Sequence, residues 1–414
     1  MGKARQVTTG GVPVPDLDPR ETCRLIRSEA APWRCLAIVV DLAFPGRTAR
    51  GTLETTLETH HLPPMTGQPY RGRGTPINPP NRFEALVLER DPDWNPDDDP
   101  APRTRFFRDR SQSVISTNTS PDIPFETSLN PYRGCEHGCA YCYARPTHEY
   151  LGFSAGLDFE TRIMVKPDAP ELLRQELSSS RWKPQWLALS GVTDPYQPIE
   201  RRLQLTRRCL AVLAEFRNPV GLVTKNHLVV RDLDLLAELA RFNAVAVSLS
   251  LTSLDADLLH ALEPRAAAPA MRLQAIKTLA EAGIPVGVLV APVIPGLNDH
   301  EIPNVLRAAA DAGASWAGKI VIRLPHSVEA LFADWLERHR PDRSDKVLNQ
   351  IRALRDGELN DSKFGSRMHG EGPLAERISR LFHVSARRAG LALEAPELSV
   401  TAFRRPAGTQ MELL

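Results

Sequence analysis

Apolar residues form short runs that alternate with segments of helical spacing from about residue 121 to residue 326. Runs such as residues 245–251 and 286–293 are apolar on both faces, which is typical of parallel strands buried under helices. Gly283 and Gly313 stand as helix-stop signals after two of the helical segments. The alternation predicts βα units around a parallel sheet. Strands are predicted at residues 125–132, 186–190, 220–224, 244–251, 286–291 and 319–324, and the helices between them at 170–178, 203–216, 232–241, 270–282 and 301–312.

The number of predicted strands decides the expected fold class. Six strands are fewer than the eight of a closed TIM barrel, so the pattern favours an α/β fold with an open, partial (β/α)6 barrel. A doubly wound sheet stays open as the alternative. Before the core, Pro and Gly are frequent and apolar periodicity is weak, whereas helical spacing returns after it. We predict an irregular, largely disordered N-terminal region at 1–120, a core barrel at 121–326, a helical extension at 327–396 and a tail at 397–414.

Composition limits the classes of partner. The chain has 414 residues and a formal net charge of +1, so its overall charge gives no reason to expect a nucleic-acid coat. No run reaches the roughly 20 apolar residues that a membrane-spanning helix needs. The N-terminus also lacks the apolar segment of a secretory signal. We therefore expect no membrane partner and a cytoplasmic location.

Three of the six cysteines fall within eight residues. Cys135, Cys139 and Cys142 have the spacing Cys-x3-Cys-x2-Cys, and Gly134 and Gly138 let the loop fold around one inorganic group. In a reducing compartment, this grouping indicates metal ligation or redox chemistry rather than disulfides. Thiolates are the ligands of iron–sulfur clusters, and three of them leave one iron of a four-iron cluster open. A zinc site is the alternative, although the spacing differs from that of paired zinc knuckles.

Residues 130–145, NPYRGCEHGCAYCYAR, resemble the signature of the radical S-adenosylmethionine (SAM) superfamily, with Tyr141 just before the third cysteine. The resemblance implies a [4Fe–4S] cluster on Cys135, Cys139 and Cys142, with SAM bound at the open iron. It also implies an enzyme in which one-electron reduction cleaves SAM to methionine and a 5′-deoxyadenosyl radical that abstracts hydrogen from a substrate. An external one-electron donor such as flavodoxin or ferredoxin is the implied partner.

Polar residues follow several predicted strands, and sites on parallel βα folds gather at the C-terminal strand ends. The turn at residues 190–196 resembles the superfamily element that receives the methionyl amino group, with Asp194 as the carboxylate; a plain turn capped by Asp194 is the alternative. Lys225 is expected to pair with the SAM carboxylate, or else to be a surface charge. For the serines, a buried structural role is the alternative to ribose or carboxylate binding. The predicted SAM contacts are Tyr141, Ser190, Gly191, Thr193, Asp194, Lys225, Ser248, Ser250 and Gly296.

Longer segments narrow the resemblance. SGVTDPYQPIE, LVTKN followed by RDLDLL, and LEPRAAAP are similar to DNA repair photolyases of the spore photoproduct lyase type, and the likeness covers residues 71–391. That group implies lyase chemistry on a nucleic-acid lesion, with a cysteine downstream of the cluster motif as hydrogen donor. Here no cysteine lies between Cys142 and Cys209, so Tyr143 and Tyr196 are the candidate donors. Two alternatives stay open: a radical SAM enzyme acting on a protein, RNA or small molecule, and a non-catalytic metal-binding interaction protein.

Local basic residues are the candidates for contact with nucleic acid, because phosphate contacts need Lys and Arg. The ordinary role of such residues is a solvated helix surface, which is the alternative here. Arg265, Arg272 and Arg323 lie near strand ends or helix starts and are expected at the mouth of the barrel. Cys209 stands within a helical pattern and is expected to be buried as a small apolar residue. The candidates for phosphate contact are Arg201, Arg202, Arg207, Arg208 and the basic residues of 363–367.

Overall fold

The structure, a computed structural model, describes residue 70, residues 72–83 and residues 102–406. Its core is a sheet of seven strands in the order β10-β9-β8-β7-β6-β3-β2, where β2 is antiparallel to β3 and all other neighbours are parallel. The strands are β1 (Arg105–Arg108), β2 (Ile115–Thr117), β3 (Thr127–Leu129), β4 (Tyr132–Arg133), β5 (Arg162–Val165), β6 (Leu187–Leu189), β7 (Val220–Thr224), β8 (Val245–Ser250), β9 (Val286–Val293) and β10 (Trp316–Val321).

The six parallel strands follow the order of the chain, and β10 and β2 are the two edges of the sheet. The prediction of an open, partial (β/α)6 barrel is therefore confirmed. Helices connect the parallel strands and extend past the last of them. They are α1 (Leu157–Thr161), α2 (Ala169–Ser178), α3 (Glu200–Leu203), α4 (Leu205–Phe216), α5 (Leu233–Ala240), α6 (Ala256–Leu262), α7 (Pro269–Glu281), α8 (Ile302–Asp311), α9 (Val328–His339), α10 (Ser344–Ala353), α11 (Ser366–His369) and α12 (Gly372–Arg388).

Among the differences from the sequence prediction, two lie in the second half of the barrel. The last strand is Trp316–Val321 rather than residues 319–324. Gly318 and Lys319 interrupt the apolar pattern in the sequence, whereas the pairing with β9 already begins at Trp316. The short helix α6 was not predicted. Its first turn is capped by the Asp255 carboxylate, which accepts hydrogen bonds from the backbone N–H groups of Asp257 and Leu258.

One face of the main sheet carries small residues. Ala188 of β6, Gly221 of β7 and Ala246 of β8 are paired in register, so they share that face. Trp186 lies over Gly221, and a Cβ built on Gly221 would approach the indole Nε1 of Trp186 to 2.2 Å. In the same way, Trp316 lies over Gly287. The two indole rings thus fill space that the glycines leave open.

We expect Gly221→Ala to lower the free energy of unfolding by about 1–3 kcal/mol, because the new methyl group overlaps a partly buried ring in the sheet interior. The urea unfolding midpoint measures this loss. In a Trp186→Phe background the same substitution should cost less, since the atoms nearest to the methyl group are then gone. An equal loss in both backgrounds would show that the overlap with Trp186 is not its cause.

The described part of the region predicted to be irregular contains two strands. β1 joins β5 and β4 in a separate three-stranded sheet, and β2 is an edge of the main sheet. Cys23 and Cys35, most of the acidic segment 91–102 and the rest of that region lie outside the described residues. The four region boundaries therefore stay predictions.

The helical segments predicted after the core correspond to α9, α10 and α12. α12 packs against α8 on the outside of the barrel. Cys209 is fully buried in α4, as expected for a small apolar residue. In the part of the chain that the structure describes, no helix combines the length and the apolar character needed to cross a membrane.

Candidate active site

The three clustered cysteines lie on one loop that follows β4. Cys135 and Cys139 are buried, Cys142 is half-buried, and all three are free thiols. The loop is tied to its surroundings by main-chain hydrogen bonds, from Cys135 N–H to the carbonyl of Phe159 at 2.9 Å and from Ala140 N–H to that of Leu262 at 3.0 Å. The loop is therefore held both to α1 and to the end of α6.

The buried Arg145 guanidinium holds this loop in place through hydrogen bonds to its backbone. It donates to the carbonyl oxygen of Cys139 at 3.0 Å and to that of Gly138 at 3.3 Å, and it forms an ion pair with the buried Glu160. Gly138 has a φ of +67°, and a Cβ there would lie 2.6 Å from a carboxylate oxygen of Glu160. Glycine is required at this position for both reasons.

The thiols lie close enough to influence one another's ionisation. Burial raises the pKa of Cys139, and Glu263 and the other two cysteines raise it further. Burial also raises the pKa of Cys142, with Cys135 adding to the effect. A raised pKa favours the protonated thiol, whereas ligation to the iron of an iron–sulfur cluster requires the thiolate and would stabilise it. Among residues 102–406 and the short described segment before them, no three His, Cys, Asp or Glu side chains are grouped to hold a single metal ion.

His137, within the loop, pairs with Asp194 in the turn after β6. Its Nδ1 lies 3.4 Å from Asp194 Oδ2; His137 is buried and Asp194 is half-buried. Burial disfavours both charges, but their mutual attraction outweighs it: the pKa of His137 is raised to about 10 and that of Asp194 is lowered to about 2. Asp194 Oδ2 also accepts from Lys225 N–H at 2.7 Å, and Asp194 Oδ1 accepts from Thr224 Oγ1 at 2.7 Å. The pair therefore joins the cysteine loop to the end of β7.

A second buried network lies on the other side of the loop. Glu263 accepts hydrogen bonds from the hydroxyl groups of Tyr141 and Thr252 and forms an ion pair with Arg272. Arg272 also donates to the carbonyl oxygens of Ala267 at 2.7 Å and Ser250 at 2.9 Å. The expectation that Arg272 faces the mouth is wrong, because this residue is fully buried and is committed to these partners.

The turn after β6 has an unusual backbone. Ser190 has a φ of +151° and Gly191 one of +108°. Asn130, at the end of β3, accepts hydrogen bonds at its Oδ1 from the N–H groups of Val192 at 3.2 Å and Thr193 at 3.3 Å. The turn is therefore fixed over the C-terminal ends of two adjacent strands.

The other predicted SAM contacts lie at the following strand ends. The Lys225 ammonium is 5.9 Å from the centre of the Tyr141 ring. Ser248 is half-buried and Ser250 is buried on the same face of β8. Gly296 lies in the loop after β9 with a φ of +76°, and its N–H donates to Asp299 Oδ1 at 2.9 Å. The fold thus brings all these residues to one end of the barrel, and their binding roles stay predictions.

The two tyrosines have different surroundings. Tyr196 is fully buried, and its hydroxyl donates to Asp232 Oδ2 at 3.0 Å, which favours a structural role. Tyr143 is 49% exposed, and its hydroxyl donates to the Gly191 carbonyl at 2.5 Å. The Arg323 guanidinium lies 5.7 Å from the centre of the Tyr143 ring, so Arg323 and Tyr143 together line the mouth.

Residues 129–309 match the family model described as the radical SAM superfamily. This span runs from the last residue of β3 through the cysteine loop into α8. This span is therefore similar to radical SAM domains, and the predicted resemblance to that superfamily is confirmed. The superfamily uses a [4Fe–4S] cluster and SAM for its chemistry, so the prediction of these two cofactors is confirmed.

Individual relatives match part of the chain. An uncharacterized protein of Mycobacterium tuberculosis is 39% identical over 222 residues, covering 53% of this chain and 65% of the relative. A radical SAM Nalpha-GlyT isomerase of Pseudomonas phage M6 is 28% identical over 238 residues, covering 54% of this chain and 47% of the isomerase. The chain thus spans less than two thirds of the length of these curated relatives.

Among solved structures, spore photoproduct lyase complexed with dinucleoside spore photoproduct superposes with a TM-score of 0.50. The alignment covers 70% of this chain and 80% of the lyase, at 16% sequence identity. At this identity the likeness is one of fold. It agrees with the partial barrel described above.

Four residues that support the site had no predicted role, although all lie in or beside the recognised motifs. The sequence could have pointed to them as polar residues within segments expected to be buried, since buried polar groups need specific partners. Their partners come from distant parts of the chain, which the sequence alone does not show. These residues are Asn130, His137, Arg145 and Glu263.

Proposed function

We propose that Cys135, Cys139 and Cys142 hold a [4Fe–4S] cluster and that SAM binds beside it at the C-terminal ends of the parallel strands. The single observation that carries this proposal is that three free thiols lie on one loop, which Arg145 holds in place, at the C-terminal ends of the parallel strands. When bound and reduced, the cofactors supply a 5′-deoxyadenosyl radical that abstracts hydrogen from the substrate.

The protein's own residues position these groups. Tyr141 is anchored by Glu263 on one side of the loop, and His137 is anchored by Asp194 on the other. Because both oxygens of Asp194 already accept hydrogen bonds within the chain, we assign Asp194 to positioning Lys225 rather than to direct contact with SAM. Tyr141, Ser190, Gly191, Thr193, Lys225, Ser248, Ser250 and Gly296 remain the proposed SAM contacts.

For the substrate we propose a nucleic-acid lesion, with lyase chemistry of the photolyase kind. The support is the sequence resemblance to DNA repair photolyases together with the fold shared with spore photoproduct lyase. The oxygen-sensitive cluster and the reduced thiols fit the cytoplasm, which is the proposed location.

Modification of a different substrate class is the second candidate. The phage relative is named an isomerase, so relatedness within this domain does not fix the reaction type. Product analysis separates the candidates: lesion-containing DNA should yield repaired bases under turnover conditions. Unchanged lesions together with vigorous SAM cleavage would favour a protein, RNA or small-molecule substrate.

The cofactor proposal is tested on the full chain by anaerobic reconstitution with iron and sulfide, reduction with dithionite, and electron paramagnetic resonance. We expect a signal of a reduced four-iron cluster that changes when SAM is added, since SAM binds the open iron. A protein that takes up zinc instead, or a cluster signal indifferent to SAM, contradicts the proposal.

Tyr143 is the proposed hydrogen donor, because it is exposed at the mouth next to Cys142. We expect Tyr143→Phe to lower product formation strongly while SAM cleavage continues, because phenylalanine has no O–H hydrogen to donate. Comparing repaired product with 5′-deoxyadenosine released measures this uncoupling. Tyr196→Phe is the matched control. Full turnover in Tyr143→Phe excludes Tyr143 as the donor.

A further inference from the structure

An open pocket of about 520 Å³ lies on the outer side of the cysteine loop. Four arginines and one carboxylate line it, together with the exposed Phe106 of β1. We call it the arginine pocket. Its polar lining is formed by Arg73, Arg103, Thr104, Glu136, Arg202 and Arg265.

The cysteine loop forms part of the lining of the arginine pocket through Glu136. Glu136 directly follows Cys135, and its carboxylate accepts from Ile199 N–H at 2.8 Å and pairs with Arg265 Nη1 at 3.1 Å. The backbone N–H of Arg265 donates to the carbonyl oxygen of His137 at 3.2 Å. One or two residues of loop therefore separate the pocket from the proposed cluster ligands.

Among the residues that the structure describes, positive charge is concentrated there without full compensation. Arg73 and Arg265 both donate to the Thr104 hydroxyl, at 3.1 Å and 3.4 Å, so two guanidinium groups meet at one oxygen. Burial and then the charge of Arg265 lower the pKa of Arg73. Within the described residues, neither Arg103 nor Arg202 has an ion-pair partner. Because the formal net charge of the chain is only +1, this is a local feature.

The lining points to a protein rather than the substrate. None of the proposed SAM contacts, such as Ser190 or Ser250, lines the pocket, so the pocket does not open toward the proposed SAM site. Arginines beside an exposed phenylalanine are typical of the anchors of protein–protein interfaces. An acidic protein complements this charge. A protein bound at the pocket would lie close to the cysteine loop, which is the proposed site of the cluster.

We propose that the arginine pocket is the docking site of an acidic one-electron donor protein. This inference rests on the proposed function, because it needs a cluster on the cysteine loop. One electron leaves the reduced donor, which is oxidised by one electron, and passes across the loop at Glu136 to the cluster, with no proton or atom transferred. Electron-transfer partners of this kind form small, transient interfaces that charge steering accelerates.

The test compares reduction of the reconstituted full-length protein by a reduced acidic flavodoxin and by dithionite. The variant is Arg103→Glu/Arg202→Glu, and Arg387→Glu at the exposed end of α12 is the control. At low salt we expect flavodoxin to reduce the double variant at least about tenfold more slowly than the wild type, and high salt should shrink the difference. Dithionite should reduce all three proteins equally.

Equal rates with flavodoxin in the wild type and the double variant overturn the docking proposal. So does a variant that loses affinity for a DNA oligonucleotide while its reduction by flavodoxin is unchanged, since the pocket then serves nucleic acid. Failure of dithionite to produce a reduced cluster in the wild type is a different result. It removes the proposed function itself, and the docking proposal with it.

Discussion

Alanine at Cys135, Cys139 or Cys142 is expected to lower SAM cleavage more than about 100-fold. Each thiol is a proposed cluster ligand. Substituting even a residue that only hydrogen-bonds to a metal ligand costs about 10–100-fold in metal affinity or activity. All three thiols lie on one loop, so each variant removes one of three neighbouring proposed ligands. Release of 5′-deoxyadenosine under dithionite measures the activity, and the iron and sulfide content of each variant shows whether the cluster is lost.

Cys209→Ala is the matched control for these variants. Cys209 is fully buried in α4, away from the loop in sequence, and its replacement removes one buried sulfur atom. We expect this variant to keep its iron and its SAM cleavage. A loop variant that also keeps wild-type iron content and wild-type cleavage removes that cysteine from the ligand set.

The barrel could be predicted because its strands carry their own signal. β7, β8 and β9 are continuous apolar runs, and glycines mark the ends of α7 and α8, so local pattern and final structure agree. β10 was placed three residues late, because Gly318 and Lys319 interrupt its apolar run. β1 and β4 are short strands that are defined by pairing with β5, a partner that is distant from β1 in sequence.

The cysteine ligands could be predicted from spacing, whereas the groups that support them could not. Arg145, His137 and Glu263 act through contacts with Glu160, Asp194 and Arg272, respectively. No periodicity links the two partners of each pair. Arg272 is an example: its position near a helix start predicted a place at the mouth of the barrel, but it is fully buried in an ion pair with Glu263.

Glu263→Ala is expected to lower the free energy of unfolding by about 3–5 kcal/mol. Removing one partner of a buried ion pair leaves the other charge without compensation in a site that excludes water. The Glu263 and Arg272 side chains are both 0% exposed, and Tyr141 and Thr252 also lose their acceptor. Urea unfolding of the cluster-free protein measures the loss. Glu215→Ala is the control, because the Arg174–Glu215 pair is exposed and such pairs contribute about 0–1 kcal/mol.

A double-mutant cycle identifies the cause of that loss. We expect Glu263→Ala/Arg272→Met to be less destabilised than the sum of its two single variants, since no unpaired charge then remains buried. Losses that add within about 0.5 kcal/mol would show that the two side chains are not coupled. Tyr141 lies two residues after Cys139, so loss of its acceptor also loosens the loop that carries the proposed ligands. Reconstituted Glu263→Gln, which keeps acceptor oxygen for the Tyr141 hydroxyl, should therefore hold more cluster iron than Glu263→Ala.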